Sequence, residues 1–175
     1  RVYVLGGGSD LLVTDGTLAG LVVRLNLAGG LGSLQILDLD DARVRVGAAM
    51  PLPALLAAMA EQGYSGLEDL AGIPGTVGGA VAMNAGNPAR GIGAFVEEVT
   101  GVDAAGRVLT LGRDRIHFAY RWSNLEGLVL TEAVLRLKPG TPEKVRADMQ
   151  NFLDVKRRRQ PLDGFSAGCV FKNPP

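Results

Sequence analysis

The pattern of apolar and polar positions predicts several short strands. Apolar and β-branched residues form strand-like runs at residues 2–5, 20–25 and 43–47, and a longer run covers residues 128–137. The first run is apolar throughout, which predicts a buried strand that leads into a glycine-rich loop. Short strands with few helices, and without regular strand–helix alternation, indicate an α+β fold rather than a doubly wound sheet.

The clearest helix signal covers residues 50–62. Pro51 suits the first turn of this helix, and Gly63 suits its C-terminal end. The apolar residues recur at helical spacing, so one face is expected to be buried. That face consists of Leu52, Leu55, Leu56 and Met59.

A hairpin and a second helix are predicted further along the chain. Residues 96–102 and 107–111 flank an Asp-Ala-Ala-Gly sequence that is typical of a hairpin turn. The second helix is expected to begin after Thr141, where Pro142 suits the first turn, and to end in the basic residues 156–159. Its predicted buried side carries Val145, Met149 and Phe152.

Two segments are unusually rich in glycine, and the chain as a whole carries 25 glycines among 175 residues, about twice the usual ~7%. The first glycine segment is LGGGSDLL, residues 5–12, and the second glycine segment is GIPGTVGGAVAMNAG, residues 72–86. Neither contains the Gly-Lys-Ser/Thr of a nucleotide phosphate loop. Nor does the first match the dinucleotide fingerprint of a strand–glycine–helix unit, because no helix pattern follows it.

Both glycine segments have the character of a cofactor cradle. Consecutive N–H groups in a glycine-rich turn form a concavity that binds phosphate oxygens. The second glycine segment is otherwise apolar, unlike a flexible linker, so its backbone is expected to lie against a large flat ligand. Val77, Val81 and Met83 are available to pack its other side. The pair therefore predicts a dinucleotide-sized ligand, against the alternatives of an ordinary tight turn and a buried glycine-rich connection.

Two further segments carry reactive or charged side chains. In FAYRWS, residues 118–123, Arg121 stands between Tyr120 and Trp122, and its guanidinium suits a carboxylate or another oxyanion. The alternative is a surface arginine stacked on Trp122. In SAGCVFKNP, residues 166–174, Cys169 lies in a polar, tightly turned setting, although a lone cysteine is more often a small buried apolar residue.

Composition excludes several classes of protein. Eighteen basic residues balance 18 acidic ones, so no bulk attraction to nucleic acid or lipid is expected. A single Cys excludes an internal disulfide and fits a reducing compartment, and one His with one Cys argues against a zinc site. No apolar run is long enough to span a bilayer, and no signal-peptide pattern opens the chain. A cytoplasmic protein without nucleic-acid, membrane or metal partners is expected.

Taken in order, these four segments resemble the UDP-N-acetylenolpyruvoylglucosamine reductase (MurB) family of peptidoglycan precursor synthesis. The resemblance implies an α+β fold of the vanillyl-alcohol-oxidase type (PCMH-like), with mixed and antiparallel sheets and a few flanking helices. It also implies FAD as the cofactor and NADPH as the reductant. The expected reaction is reduction of UDP-N-acetylglucosamine enolpyruvate to UDP-N-acetylmuramate.

The resemblance also implies a role for each matching residue. Arg121 matches the arginine that stabilises the substrate enolate, and Cys169 stands where the family usually has a serine that donates a proton. A thiol with a pKa of ~8.5 remains a competent acid if it is kept neutral. Substrate contacts are implied for Tyr120, Arg121, Lys172 and Asn173. FAD contacts are implied for Gly6, Gly7, Gly8, Ser9, Asp10, Ile73, Pro74, Gly75, Thr76, Gly78, Gly79, Ala80, Asn84, Ala85 and Gly86.

The two ends of the chain set further expectations. Residues 1–175 are expected to form a FAD-binding region of two closely packed lobes. The family's N-terminal strands and its C-terminal substrate domain, which carries a catalytic Glu, have no counterpart in this sequence. The alternatives are another FAD oxidoreductase of the same fold, acting on an alcohol or a 2-hydroxy acid, and a flavin-binding fragment without activity of its own.

Overall fold

The computed structural model describes residues 1–87, 90–160 and 171. The helices of these residues are α1 (Leu52–Gln62), α2 (Val77–Ala82) and α3 (Pro142–Arg159). The strands, in chain order, are β1 (Val2–Leu5), β2 (Leu21–Arg24), β3 (Leu34–Asp38), β4 (Arg43–Gly47), β5 (Tyr64–Ser65), β6 (Val96–Val102), β7 (Val108–Gly112), β8 (Phe118–Ala119), β9 (Trp122–Ser123), β10 (Val129–Arg136) and β11 (Lys138–Pro139). This mixture of short strands with few helices confirms the α+β class.

A five-stranded antiparallel sheet forms the centre of the fold, in the order β3-β4-β10-β6-β7. The central strand β10 deviates from regular pairing with β6 at two points. Val44, Val46 and Leu135 are fully buried on the face that packs against the helices. The expected strands at 43–47 and 128–137 are confirmed, whereas the sequence pattern did not predict β3.

Helix α1 covers one side of the core, as its sequence pattern predicts. The four apolar residues of its expected buried face are all less than about a tenth exposed. Gly63 ends the helix in the left-handed conformation, with φ of +72°, and its N–H donates to the carbonyl of Ala60 at 3.3 Å. A residue with a β-carbon would be strained at that position.

The predicted hairpin between β6 and β7 is also confirmed. The Asp103 carboxylate accepts hydrogen bonds from the N–H groups of Ala105 and Arg107, both at 2.9 Å, and pairs with the Arg107 guanidinium at 2.7 Å. Gly106 has a φ of +79°. The Asp103 carboxylate takes the place of water as the acceptor for these N–H groups. Asp therefore suits the first position of the turn.

Helix α3 begins as predicted, but one expected burial is wrong. The Thr141 hydroxyl accepts the N–H of Lys144 at 3.4 Å and so caps the helix. Val145 is buried and Met149 partly so, while Phe152 is 45% exposed. The packed stripe continues through Leu153 and Lys156, so Phe152 lies beside it.

No helix within the described residues is both long and apolar enough to cross a bilayer.

The first strand is present, but it is not buried as predicted. Strand β1 pairs in parallel with β2, and Val2 is 62% exposed. Within the described part of the chain, β1 has no hydrogen-bonded neighbour other than β2. Its apolar side chains therefore lack the second layer that would bury them.

Candidate cofactor cleft

The two glycine segments lie directly against each other. A β-carbon built on Gly7 would lie 2.7 Å from the Cα atom of Gly75, and one built on Gly6 would lie 2.7 Å from the Thr76 hydroxyl. Gly75 has a φ of +106°, and a β-carbon there would meet the Ser9 hydroxyl at 2.7 Å. Because the neighbour of Gly7 is backbone, glycine is required there for the two segments to approach, and the positive φ of Gly75 also favours glycine.

The first glycine segment presents its backbone donors to solvent. Gly7, Gly8, Ser9 and Asp10 are all exposed. Within the described residues, the N–H groups of Gly7, Gly8 and Ser9 have no hydrogen-bond acceptor. Gly8 has a φ of +73°, so the chain turns at this point through a conformation that favours glycine. Successive N–H groups in such a turn suit the oxygens of a phosphate.

The second glycine segment contains the short helix α2, which the sequence pattern did not predict. The Thr76 hydroxyl accepts the N–H of Gly79 at 3.4 Å, and Val77 and Val81 are fully buried. Met83 is 40% exposed, so its expected burial is wrong. Because two buried valines and a threonine cap hold the turn together, α2 forms despite its glycines.

The glycines of this segment serve two different purposes. A β-carbon on Gly78 would lie 2.8 Å from that of Ala48, so Gly78 is needed for packing within the protein. Gly86 likewise lies against the backbone of Arg90 and Gly91. At these two positions the missing side chain serves packing within the protein, and contact with FAD stays a prediction. Gly79 is exposed, and its added β-carbon would meet only the Thr76 hydroxyl, at 3.5 Å, so a ligand has access there.

The remaining expected cofactor residues of the second glycine segment differ in what they contact. Ile73 and Pro74 border an open groove of about 350 Å³ between α1 and α3. Ala80 is buried, and its carbonyl accepts the N–H of Ala85 at 2.7 Å. The Asn84 side chain bonds to protein: its amide donates to the Ala119 carbonyl at 2.8 Å, and its oxygen accepts the N–H of Gly93 at 3.0 Å.

Arg121 lies in the tight turn between β8 and β9, with a φ of +54°. Its guanidinium carbon is 5.1 Å from the centre of the Tyr120 ring, so the expected alternative of stacking on Trp122 is wrong.

The hairpin formed by β8 and β9 is attached to the second glycine segment at two points. One is the Asn84 bond to Ala119, and the other is the Ser123 hydroxyl, which donates to the Ala82 carbonyl at 2.7 Å.

Sequence reasoning did not single out Lys156, a cation that lies next to the start of the second glycine segment. The Lys156 ammonium donates to the Ala71 carbonyl at 3.1 Å, next to the start of the second glycine segment. Burial lowers the pKa of Lys156, and the positive charge of Arg121 lowers it further. Helical spacing is the sequence signal that could have identified Lys156, because this residue continues the packed stripe of Val145, Met149 and Leu153.

The other expected site residues, Cys169, Lys172 and Asn173, lie outside the described residues.

The residues present fit a dinucleotide cofactor, and comparison with known proteins agrees. A pyrophosphate cradle requires backbone N–H groups that have no acceptor within the protein. It also requires glycines at positions where a side chain would not fit. The family described as FAD binding domain matches residues 1–112. The chain belongs to this family of FAD-binding domains.

Named relatives give a more particular comparison. The chain is 39% identical over 176 residues to UDP-N-acetylenolpyruvoylglucosamine reductase 2 of Symbiobacterium thermophilum, covering 99% of this chain and 56% of the relative. It is 41% identical to the reductase of Moorella thermoacetica, with the same coverage. The chain therefore spans little more than half the length of these curated relatives.

Solved structures place the chain in the vanillyl-alcohol-oxidase-type fold. The crystal structure of UDP-N-acetylenolpyruvylglucosamine reductase (MurB) from Thermus caldophilus superposes with a TM-score of 0.82 at 38% identity, over 99% of this chain and 62% of that one. A solvent-stable cholesterol oxidase superposes with a TM-score of 0.56 at 20% identity, over 79% of this chain and 30% of the oxidase. The oxidase supports the fold alone, and the expected fold class is confirmed.

Proposed function

We propose that this chain is the FAD-binding part of a cytoplasmic reductase that converts UDP-N-acetylglucosamine enolpyruvate to UDP-N-acetylmuramate at the expense of NADPH. The observation that carries the proposal is the position of Arg121. Its hairpin is hydrogen-bonded to the second glycine segment through Asn84 and Ser123. A guanidinium suited to an anion is thus carried by a hairpin that is attached to the segment expected to contact the cofactor. Relatives at 39% and 41% identity that bear the reductase name support the same reaction.

The chemistry divides between the cofactor and the protein. Bound FAD would supply hydride-transfer chemistry, with NADPH as the source of electrons. In this proposal the N–H groups of Gly7, Gly8 and Ser9 hold the pyrophosphate, and the exposed side of Gly79 lies against the cofactor. The protein's remaining task is to bind the enolpyruvyl group and to control charge and protons.

Reduction of the enolpyruvyl double bond adds one hydride and one proton to adjacent carbons. As the terminal carbon gains the hydride, negative charge develops on the carboxylate as an enolate. The Arg121 guanidinium would stabilise that charge through paired N–H donors. The Cys169 thiol would give its proton to the neighbouring carbon, leaving a thiolate that is reprotonated from solvent.

The proposal is tested by a product assay on the FAD-loaded protein at its natural full length. With the enolpyruvyl UDP-sugar and NADPH, we expect NADPH to be consumed together with the substrate and a product heavier by two hydrogens. Oxidation of alcohols or 2-hydroxy acids, without reduction of the enolpyruvyl substrate, would indicate a different oxidoreductase of this fold. Bound flavin that is reduced by neither NADPH nor these substrates would indicate a binding module.

A further inference from the structure

A buried carboxylate joins the chain on the two sides of the second glycine segment. The Asp69 side chain, which precedes that segment, is only 4% exposed. One of its oxygens accepts the side-chain amide of Asn87 at 2.8 Å, and the other lies 3.3 Å from the Arg90 guanidinium. Asn87 follows the segment directly and stands 18 positions from Asp69 in the chain. These three residues, Asp69, Asn87 and Arg90, are called the Asp69 clasp below.

Further contacts fix the two partners of Asp69. The Asn87 N–H donates to the Arg90 carbonyl at 3.0 Å, and the Arg90 N–H donates to the Asn87 side-chain oxygen at 3.0 Å. The Arg90 guanidinium also donates to the Gly66 carbonyl at 3.0 Å and lies 4.8 Å from the centre of the Phe95 ring. The Asp69 clasp is therefore attached to the protein on both sides of the carboxylate.

Stability alone does not explain a buried ion pair, because desolvation of the two charges offsets much of their attraction. The position of the segment between them offers a better reason. Within that segment Gly72, Gly75 and Asn84 have φ of +75°, +106° and +46°. A glycine-rich chain loses much conformational freedom when it is ordered. Because the Asp69 clasp fixes both ends of the segment in advance, less of that cost falls on the binding of a cofactor.

We propose that Asp69 is a positioning residue for FAD, which holds the second glycine segment in its cofactor-binding conformation through Asn87 and Arg90. Asp69 acts through these partners and is not itself expected to contact FAD. The inference rests on the cofactor cradle of the proposed function, and it does not depend on which substrate the reductase uses.

Two variants and a matched control of the full-length protein test the Asp69 clasp. Asp69→Asn removes the charge and replaces one acceptor oxygen with a donor. The double variant Asp69→Asn with Asn87→Asp exchanges the two side chains, so an amide again meets a carboxylate and the net charge is unchanged. Asp103→Asn is the control, because the Asp103 carboxylate also closes a turn with an arginine, Arg107 at 2.7 Å, but in the β6–β7 hairpin.

The affinity for FAD is measured from its fluorescence anisotropy during titration with the flavin-free protein. The apparent affinity falls with the fraction of molecules in the binding conformation. Losing a hydrogen bond to a charged group shifts such an equilibrium by about 10- to 100-fold, and we expect Asp69→Asn to weaken FAD binding by that order. The exchanged double variant should recover most of the loss, and Asp103→Asn should bind FAD like the unmodified protein.

The melting temperature of the flavin-free proteins separates positioning from general destabilisation. Asp69→Asn and Asp103→Asn each disturb a carboxylate that closes a turn, so both should melt at a lower temperature, but only Asp69→Asn should lose affinity for FAD. If Asp69→Asn does not fold, Arg90→Lys takes its place. It keeps the charge, loses the planar fork that reaches both Asp69 and the Gly66 carbonyl, and should weaken FAD binding in the same direction.

Three results would each overturn the Asp69 clasp while leaving the reductase proposal intact. They are unchanged FAD affinity in Asp69→Asn, or in Arg90→Lys where that variant replaces it; an equal loss in Asp103→Asn; and no recovery in the exchanged double variant. The expected FAD affinities without reduction of the enolpyruvyl substrate would support the clasp and overturn the reductase proposal alone. Failure of the unmodified protein to bind FAD would overturn both.

Discussion

The Cα atom of Gly75 occupies the space that a side chain on Gly7 would need. A β-carbon on Gly7 would lie 2.7 Å from that atom and 3.3 Å from the Gly75 carbonyl carbon. Both neighbours are backbone, which cannot move aside as a flexible side chain can. At Gly7 the two glycine segments therefore approach through main chain, and the Ser9 and Thr76 hydroxyls lie at the same junction.

Gly7→Ala should force the two glycine segments apart. We expect weaker FAD retention and a lower free energy of unfolding, by roughly 1–3 kcal/mol as for other overpacked sites. Flavin content after purification and urea unfolding measure the two effects. Gly16→Ala is the control, because its β-carbon would meet only the Thr14 hydroxyl at 3.9 Å. Equal flavin retention in both variants would contradict the proposed cradle.

Asn84→Asp should loosen the hairpin that carries Arg121. The change keeps the acceptor for the Gly93 N–H but replaces the donor to the Ala119 carbonyl with a second oxygen. We expect a loss of about 1–3 kcal/mol in unfolding free energy and a higher substrate KM. Asn151→Asp, at an exposed position on α3, is the control. A stable variant with unchanged KM would show that this bond does not position Arg121.

Arg121→Gln tests the proposed stabilisation of the enolate. Losing a donor to developing negative charge typically lowers kcat by about 10²–10³-fold, and we expect a loss of that order. Arg115→Gln removes an exposed arginine six positions earlier and serves as the control. Steady-state rates of NADPH oxidation with the enolpyruvyl substrate measure both. If the two variants lose the same activity, a general loss of positive charge explains the effect.

Cys169→Ser and Cys169→Ala test the proposed proton donor. A serine hydroxyl can deliver the same proton, so the Ser variant should keep substantial activity. The Ala variant has no proton to give and should lose most of it. Flavin reduction by NADPH, which does not involve this proton, should stay normal in both variants. Normal turnover by the Ala variant would exclude Cys169 as the acid.

The destabilising contribution of the Lys156 charge should disappear at alkaline pH. Its pKa is lowered in the folded state from the ordinary 10.5, so the unfolded chain binds the proton more tightly. The resulting destabilisation is complete below the folded-state pKa and disappears as the pH rises to 10.5. Urea unfolding of the unmodified protein and of Lys156→Met should therefore differ most at neutral pH. A difference that does not change with pH would contradict the shift.

Local chemistry made α1, α3 and the β6–β7 hairpin predictable. Pro51 and Gly63 mark the ends of α1 through backbone preferences that act within a few residues, and Asp103 organises its turn through its own side chain. Local preferences did not predict helix α2, because its glycines oppose helix formation. It forms because Val77 is buried and Gly78 fits against Ala48, contacts that no local pattern describes.

For Phe152 and β1, local sequence patterns likewise failed to predict burial. Periodicity placed Phe152 on the packed side of α3, but the neighbours present leave it exposed. An apolar run predicted that β1 is buried, whereas burial depends on a second layer that the described residues do not provide.

The sequence by itself determined the residue types of the site: two glycine segments without side-chain bulk, an arginine between aromatic residues, and a cysteine in the segment SAGCVFKNP. These are local properties, which can be identified from composition and spacing. Only the tertiary structure decided that Gly7 meets Gly75, that Asn84 holds the Arg121 hairpin, and that Lys156 bonds to the Ala71 carbonyl from a helix 85 positions away in the chain. Such contacts arise from the packing of distant segments, whose free energy depends on complementary surfaces rather than on neighbouring residues.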